Sequence, residues 1–222
     1  MNPPPRSSID RDRVLSEGIA FADEQGVDAL SMRSLAERLG VGAMTLYGYV
    51  ANKDELIAGM VDRAVLEIEL PATDGNPREA LSASAVSAHR LLLDHGWAAT
   101  QWNESAPGPA RTAYMESILR ALSDWGLDDD LVFRGYHAVT MHIVGFTIQE
   151  LGYRNPAGFD SLREAAEGFL DVMDADALPH LVEHIRGHLH GLDGVDPRHD
   201  SEFEFVLGLL LDGLANEQAK RG

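Results

Sequence analysis

The chain contains no cysteine, only 18 lysines and arginines against 36 acids, and no aliphatic run longer than "VLGLLL" at 206 to 211. Each shortage removes a class of protein. Without cysteine there is no disulfide framework, no thiolate nucleophile and no sulfur-ligated metal, a composition that suits a reducing compartment. So short an apolar run cannot cross a bilayer, which takes roughly 20 apolar residues. The opening "MNPPPRSSIDRDR" lacks the apolar stretch of a signal peptide, so the expectation is a cytoplasmic protein with no membrane partner. Period-two alternation rich in β-branched residues is also missing, which disfavours sheets. Nor is there a nucleophile elbow, a phosphate loop or another catalytic constellation, so the expectation is a non-enzyme with no cofactor and no metal site.

A net charge of −18 speaks against a general nucleic-acid binder. The charge is unevenly spread. Residues 1–58 hold six Lys/Arg and nine Asp/Glu, whereas residues 59–222 hold twelve and twenty-seven. The first part is close to neutral. Any DNA contact there depends on where single cations stand, because there is no overall basic field.

What is present is helix, predicted throughout, in a chain of 222 residues with 45% apolar content. "DRDRVLSEGIAFADEQG" places Val14, Leu15, Gly18, Ile19, Phe21 and Ala22 on adjacent stripes and stops at Gly26. Ser31 is a good cap for a second helix that buries Met32, Leu35, Ala36 and Leu39 and ends at Gly40. Asn52, with Glu55 three positions on, reads as a capping box for a helix running to about Glu67. "LPATDGNP" at 70 to 77 is the clearest joint. Beyond it, helices are predicted near 78–95, 109–125 and 129–152, weaker ones within 160–190, and a last one near 201–218. The expected architecture is all-α with two domains, 1–58 and 59–222.

The stretch "SMRSLAERLGVGAMTLYGYV" fits a helix-turn-helix. With Met32 as its first position, the fifth is Ala36, the ninth Gly40 and the fifteenth Leu46. The fifth must be small because the second helix crosses it, the ninth needs positive φ, and the fifteenth holds the second helix down. If Leu46 and Val50 face inward, Ala43, Met44, Thr45, Tyr47, Gly48 and Tyr49 crowd the outer and N-terminal surface. Such a surface is what a recognition helix offers to base edges and phosphates in a major groove.

"LSMRSLAERLGVGAMTLYGYVANKDEL" resembles the DNA-binding domain of the TetR family of bacterial regulators, most specifically in "TLYGYVANKDEL" from Thr45 to Leu56. "EFEFVLGLLLDGL" near the end resembles the final helix of the tetracycline-repressor-like C-terminal domain. The resemblance implies that Arg33 reaches DNA and that Ala43, Met44 and Thr45 approach bases. It also implies that Tyr47 and Tyr49 grip phosphates through their hydroxyls and Lys53 by charge. Gly48 and Ala43 depart from the family, which often has bulkier or hydrogen-bonding residues there, so base readout leans on Arg33, Thr45 and thymine-methyl contacts. The implied partners are double-stranded operator DNA, a second copy of the chain and a small-molecule effector.

In the second domain, "DLVFRGYHAVTMHIVGFTIQELG" is apolar almost all round. One stripe is read as Leu131, Ala138, Met141, Gly145 and Gly152, the opposite one as Phe133, Tyr136, Ile143, Thr147 and Leu151. In the last helix Phe203, Val206, Leu207, Leu210 and Leu214 form one stripe and Phe205 and Leu209 a second. Two such helices per chain can build a four-helix dimer interface. An effector pocket is expected around Trp97, Trp102, His137, Met141 and Phe146, with His89, Trp125 and His142 as further candidates. The acidic surface tilts the expected effector toward apolar or cationic molecules. His180, His184 and His188 share one helix face at metal-compatible spacing but lack a H-E-x-x-H pattern, and a solvated face accounts for them. The rival reading is a helical small-molecule-binding enzyme or adaptor whose hairpin does not read DNA.

Overall fold

The computed structural model describes residues 9–154, 161–193 and 202–221, without the side chains of 188 and 190–193. Among the described residues every regular element is helical. The helices are α1 (Arg11–Gln25), α2 (Met32–Leu39), α3 (Ala43–Leu46), α4 (Lys53–Val65), α5 (Pro77–Asp94), α6 (Gly96–Gln101), α7 (Pro109–Asp124), α8 (Asp129–Arg154), α9 (Leu162–Val172), α10 (Pro179–Asp193) and α11 (Glu202–Arg221). A 3₁₀ turn at Val27–Ala29 joins α1 to α2.

The first four helices end where local chemistry ends them. The Asp10 carboxylate caps α1 by accepting from the Arg13 N–H at 2.8 Å. Ser31 and Ser34 cap each other reciprocally at the start of α2. Asn52 caps α4 by accepting from the Glu55 N–H at 2.8 Å, while the Glu55 carboxylate returns to the Ala51 N–H at 2.7 Å, one residue earlier than a standard capping box. Leu15, Leu35, Leu46, Val50, Leu56 and Met60 fill the space between these helices and are buried. Helix α4 runs unbroken through residue 58, so the smaller and larger units share it.

The larger unit packs α5, α7, α8 and α11 around Leu81, Leu92, Ile118, Leu122, Val139, Ile143, Phe203 and Leu207, with α6 bridging to α4 and α1. The buried face of α8 is built on Leu131, Gly135, Val139, Ile143 and Thr147, one residue every fourth position, with Val144 buried beside them. Phe133, His137, Met141 and Gly145 fall two positions out of that register, about 200° around the axis, and are exposed, as is Ile148 three residues after Gly145. Both stripes read from the sequence therefore mix buried and exposed residues. On α11 the buried set is Phe203, Leu207, Leu211 and Leu214, with Phe205 and Leu209 exposed and Leu210 only half-buried. Helices α9 and α10 pack on each other, Val182 being buried, and leave Phe169 and Val172 exposed. No helix among the described residues is long and apolar enough to cross a membrane.

Candidate nucleic-acid interface

The geometry of the reading face starts from Gly40. Its φ of 68° and ψ of 32° lie in the left-handed region, where a side chain would be strained, and its N–H satisfies the Ala36 and Glu37 carbonyls. The chain thereby turns sharply, and Val41 N–H bonds back to the Ala36 carbonyl at 3.0 Å. Helix α3 then makes a single α-helical turn. It tightens at its end, with Gly48 N–H donating to Thr45 and Tyr49 N–H to Leu46, three residues back in each case. Leu46 and Val50 are buried and hold this turn down.

The side chains opposite that anchor face solvent. Met44 is 82% exposed and Tyr47 48%, and Thr45 and Gly48 are exposed beside them. Ala43 is half-buried and packs against the core. Tyr49 is also half-buried, and its hydroxyl donates to the Ile9 carbonyl at 2.8 Å. To grip a phosphate as a donor it must leave that carbonyl, because a phenol has one proton to give. Lys53 Nζ lies 3.5 Å from the Asp28 carbonyl, and an ammonium keeps further protons for a phosphate.

The cations here are restrained by acids. Arg33 Nε donates to Glu37 at 3.0 Å, and Arg11 lies 4.0 Å from Glu55. Arg38, which sequence reasoning passed over, donates to both Glu24 oxygens at 2.6 and 2.8 Å and to Glu17 at 3.2 Å, tying α2 to α1. Its hydrogen bond holds the Glu24 carboxyl below the usual range, and the two acids push the Arg38 guanidinium up. The Arg38 ion pairs serve orientation, since exposed pairs are worth little to stability.

The five side chains expected at an effector pocket do not come together. His137 and Met141 stand on the outward face of α8, Met141 being 71% exposed, for the register reason given above. Trp97 is buried but turned toward the smaller unit, its indole N–H donating to Asp23 of α1 at 2.7 Å. Only Trp102 and Phe146 lie against the interior of the larger unit. The Trp102 ring meets Tyr114 edge-on at 6.2 Å, with the Arg111 guanidinium 5.8 Å over its face. Phe146 is edge-on to His89, His142 and Phe203.

Polar groups inside this interior were not singled out from the sequence, apart from His89 and His142. The Ser84 and Tyr114 hydroxyls are buried and complete no hydrogen bond. Burial pushes the Tyr114 phenol well up, and the neighbouring Ser84 hydroxyl, which approaches it without completing a well-aligned hydrogen bond, opposes this only in part. His89 and His142 stack on Phe203 at 4.0 and 4.5 Å between centroids. The Thr147 hydroxyl donates to the Ile143 carbonyl at 2.6 Å, so at 2.8 Å it accepts from His89 Nδ1, which must carry a proton. His89 Nε2 lies 3.2 Å from Glu150. Burial lowers the pKa of His89, with the Glu150 charge opposing, and burial likewise lowers that of His142. A tyrosine amid "RTAYMESILRAL" was the one visible hint of this polar interior. Of the histidine stripe, His180 and His184 are exposed on α10 and the side chain of His188 lies outside the described residues.

Residues 14–60 match the family model for bacterial regulatory proteins of the tetR family, and residues 70–218 match that for the tetracyclin repressor-like C-terminal domain. Over 151 residues the chain is 36% identical to the HTH-type transcriptional repressor DrrR1 of Streptomyces coeruleorubidus, covering 66% of this chain and 56% of that one. The match thus spans little more than half of that relative. Over 208 residues it is 27% identical to the tetracycline repressor protein class A from transposon 1721 of Escherichia coli, covering 92% and 90% of the two chains. ActR from Streptomyces coelicolor, solved in complex with actinorhodin, has the same fold at a TM-score of 0.77 and 28% identity, covering 96% of this chain and 99% of that one. With both of its parts matched in this way, the chain belongs to the TetR family of bacterial transcriptional regulators.

Proposed function

We propose that the protein is a cytoplasmic, homodimeric DNA-binding repressor released from its operator by a small molecule. The observation that carries the reading is the arrangement at α3. Buried Leu46 and Val50 turn Met44, Thr45 and Tyr47 outward, with Arg33 at the start of α2 and Lys53 at the start of α4 on either side. In this assignment Arg33, Thr45, Met44 and Ala43 face bases, and Tyr47, Tyr49 and Lys53 face the backbone, where Gly48 allows close approach. Residues 1–58 are the reading domain and 59–222 the effector and dimer domain.

A reading head this small needs two copies. Paired recognition helices about one DNA turn apart, roughly 34–36 Å, engage two half-sites on one face of the duplex. The exposed apolar residues Phe133, Met141 and Ile148 on α8 and Phe205 and Leu209 on α11 supply a self-complementary surface for that pairing. The effector enters the interior of the larger unit near Trp102 and Phe146, where the unpaired Ser84 and Tyr114 hydroxyls offer polar anchors. ActR, which is similar over nearly its whole length, was solved with actinorhodin, and this supports a small-molecule effector here. Effector and operator then oppose each other by linkage, each weakening the other by the same factor.

Selection of duplexes from a random-sequence pool by the full chain tests the proposal. A palindromic site with half-sites one helical turn apart is the expected result, released by compounds that raise the melting temperature. A pool showing no enrichment would end it.

A further inference from the structure

Helix α2 carries two charged side chains that its own stability does not ask for. Arg33 stands in the first turn of this helix and Glu37 in the last. Peptide dipoles leave the N-terminus of a helix partly positive and the C-terminus partly negative. A cation at the start and an acid at the end therefore both sit at the wrong pole. The pair also runs in the less favourable order, since an acid N-terminal to a base stabilises a helix better than the reverse. Nor does Glu37 serve the N-terminus, which Ser31 and Ser34 cap between themselves.

The two side chains nevertheless meet. Glu37 reaches back toward the start of the helix, the direction helical side chains take, and accepts from Arg33 Nε at 3.0 Å. It does not pair with the adjacent Arg38, whose guanidinium is turned to Glu24 and Glu17 on α1. The Arg33 and Glu37 side chains are 87% and 66% exposed, and ion pairs so exposed add little to folding. The bond uses the single Nε proton of Arg33. The protons of Nη1 and Nη2 remain, at the outer end of the planar fork. That end matches guanine, whose O6 and N7 accept two parallel bonds in the major groove. A free arginine swings between phosphates and bases on a long side chain. One held at Nε presents its fork in a fixed plane, with less freedom left to lose on binding.

We propose that Glu37 is a positioning residue that makes Arg33 a reader of guanine instead of a general clamp on phosphates. The inference rests on the function proposed above and deepens it at that same site. The acid acts twice. It fixes the plane of the Arg33 fork, and its charge offsets a cation that would otherwise favour any duplex. The second effect counts in residues 1–58, where six Lys/Arg stand against nine Asp/Glu and each cation weighs heavily in DNA affinity. Loss of Glu37 should therefore strengthen binding to unrelated DNA while weakening the choice of sequence.

Selection from the random duplex pool by the full chain and by its Arg33 and Glu37 variants tests this. The parent should enrich one guanine per half-site that Arg33→Ala no longer selects. At that position Glu37→Ala should lose about tenfold or more of the preference for guanine, within the range that one bidentate contact supplies. It should also bind a scrambled duplex more tightly, with a salt slope steeper by about one unit. Glu37→Gln keeps an acceptor oxygen and should keep the guanine, while sharing the tighter binding to scrambled DNA. In the Arg33→Ala background, Glu37→Ala should change no base preference. A merely structural Glu37 would instead lower the melting temperature and leave the guanine position as it is in the parent. A half-site without an Arg33-dependent guanine, or a guanine preference in Glu37→Ala within about twofold of the parent, overturns the inference and leaves the proposed function standing. A pool from which the parent enriches nothing overturns both.

Discussion

Among the described residues of the reading unit, the large apolar side chains left exposed are Met44 and Tyr47, and both lie on the face assigned to DNA. In the larger unit they form rows: Phe133, Met141 and Ile148 on α8, Phe205 and Leu209 on α11, Phe169 and Val172 on α9. The first unit completes its own core within about fifty residues and leaves its exposed apolar surface on one small face. The second is built from longer helices that are apolar on two sides, and one chain covers only one of them. In the function proposed above, an exposed apolar side chain means different things in the two units: a contact for a duplex in one, an unfinished protein interface in the other.

The largest expected effect breaks the second half of that comparison. Leu209→Glu places one carboxylate from each chain in the proposed α8–α11 interface, and each buried unpaired charge costs several kcal/mol. Monomers that keep full helix content are expected in light scattering, with operator binding lost. A dimer of unchanged affinity would show that this face is not the interface. Leu209 is the informative position because it is 57% exposed in the single chain, whereas Leu210, the interface position that the first stripe suggests, is half-buried already.

Leu46→Ala tests the first half. The side chain is fully buried, and truncating such a leucine costs about 2–5 kcal/mol, most of what a four-helix unit can spare. DNA binding should disappear while the larger unit stays folded, so thermal unfolding should split into two transitions. A single cooperative transition at the parent temperature would mean that the small unit has no stability of its own.

How much of each unit was legible in the sequence follows from the same contrast. Gly26, Ser31, Gly40 and Asn52 end or begin helices by local chemistry, so the boundaries in the reading unit can be placed within a residue or two. Leu46 and Val50 then dictate which side of α3 faces out. Helix α8 offers no such contrast: with apolar residues on both faces, periodicity cannot say which is buried, and the answer comes from α5, α7 and α11 packing on it. That is why His137 and Met141 were grouped with an interior they do not reach. Helix α6 escaped notice because it is six residues long with no side-chain cap, and with it the role of Trp97. The partner of that indole, Asp23, is seventy-four positions away, a pairing that no local pattern encodes.

A smaller effect is expected from acid. His89 and His142 sit in the larger unit with pKa values lowered by burial, below the ordinary histidine value of about 6.5. The unfolded chain therefore takes up protons first as pH falls. The stability these residues contribute is present above about 6.5 and is lost as pH drops through that value toward their lowered folded-state values. Denaturant unfolding between pH 7.5 and 5 should show stability falling in the parent and falling less steeply in His89→Gln. Equal slopes would place the acid sensitivity elsewhere. The reading unit has no histidine, so its own stability should not share this window.

The smallest effect separates two tyrosines two residues apart. Tyr47 is 48% exposed on the reading face, whereas the Tyr49 hydroxyl is held by the Ile9 carbonyl, immediately before the Asp10 cap of α1. Removing the Tyr49 hydroxyl leaves a half-buried carbonyl without its donor, which costs about 0.5–1.5 kcal/mol. Removing that of Tyr47 leaves nothing unsatisfied in the free protein. Tyr49→Phe should thus lower the melting temperature of the reading unit by a few degrees, since about 1 kcal/mol shifts a 60–100-residue domain by roughly 4–8 °C. Tyr47→Phe should leave it unchanged yet weaken operator binding, all sequences being affected alike because a phosphate contact carries no base information. If Tyr49 also grips a phosphate, as the family resemblance implies, it must give up Ile9 to do so. The affinity lost in Tyr49→Phe should then be smaller than in Tyr47→Phe, because part of the bond to DNA only replaces one already made. Equal affinity losses in the two variants, with no stability change in either, would mean that the Ile9 contact contributes nothing and that both hydroxyls meet DNA on the same terms.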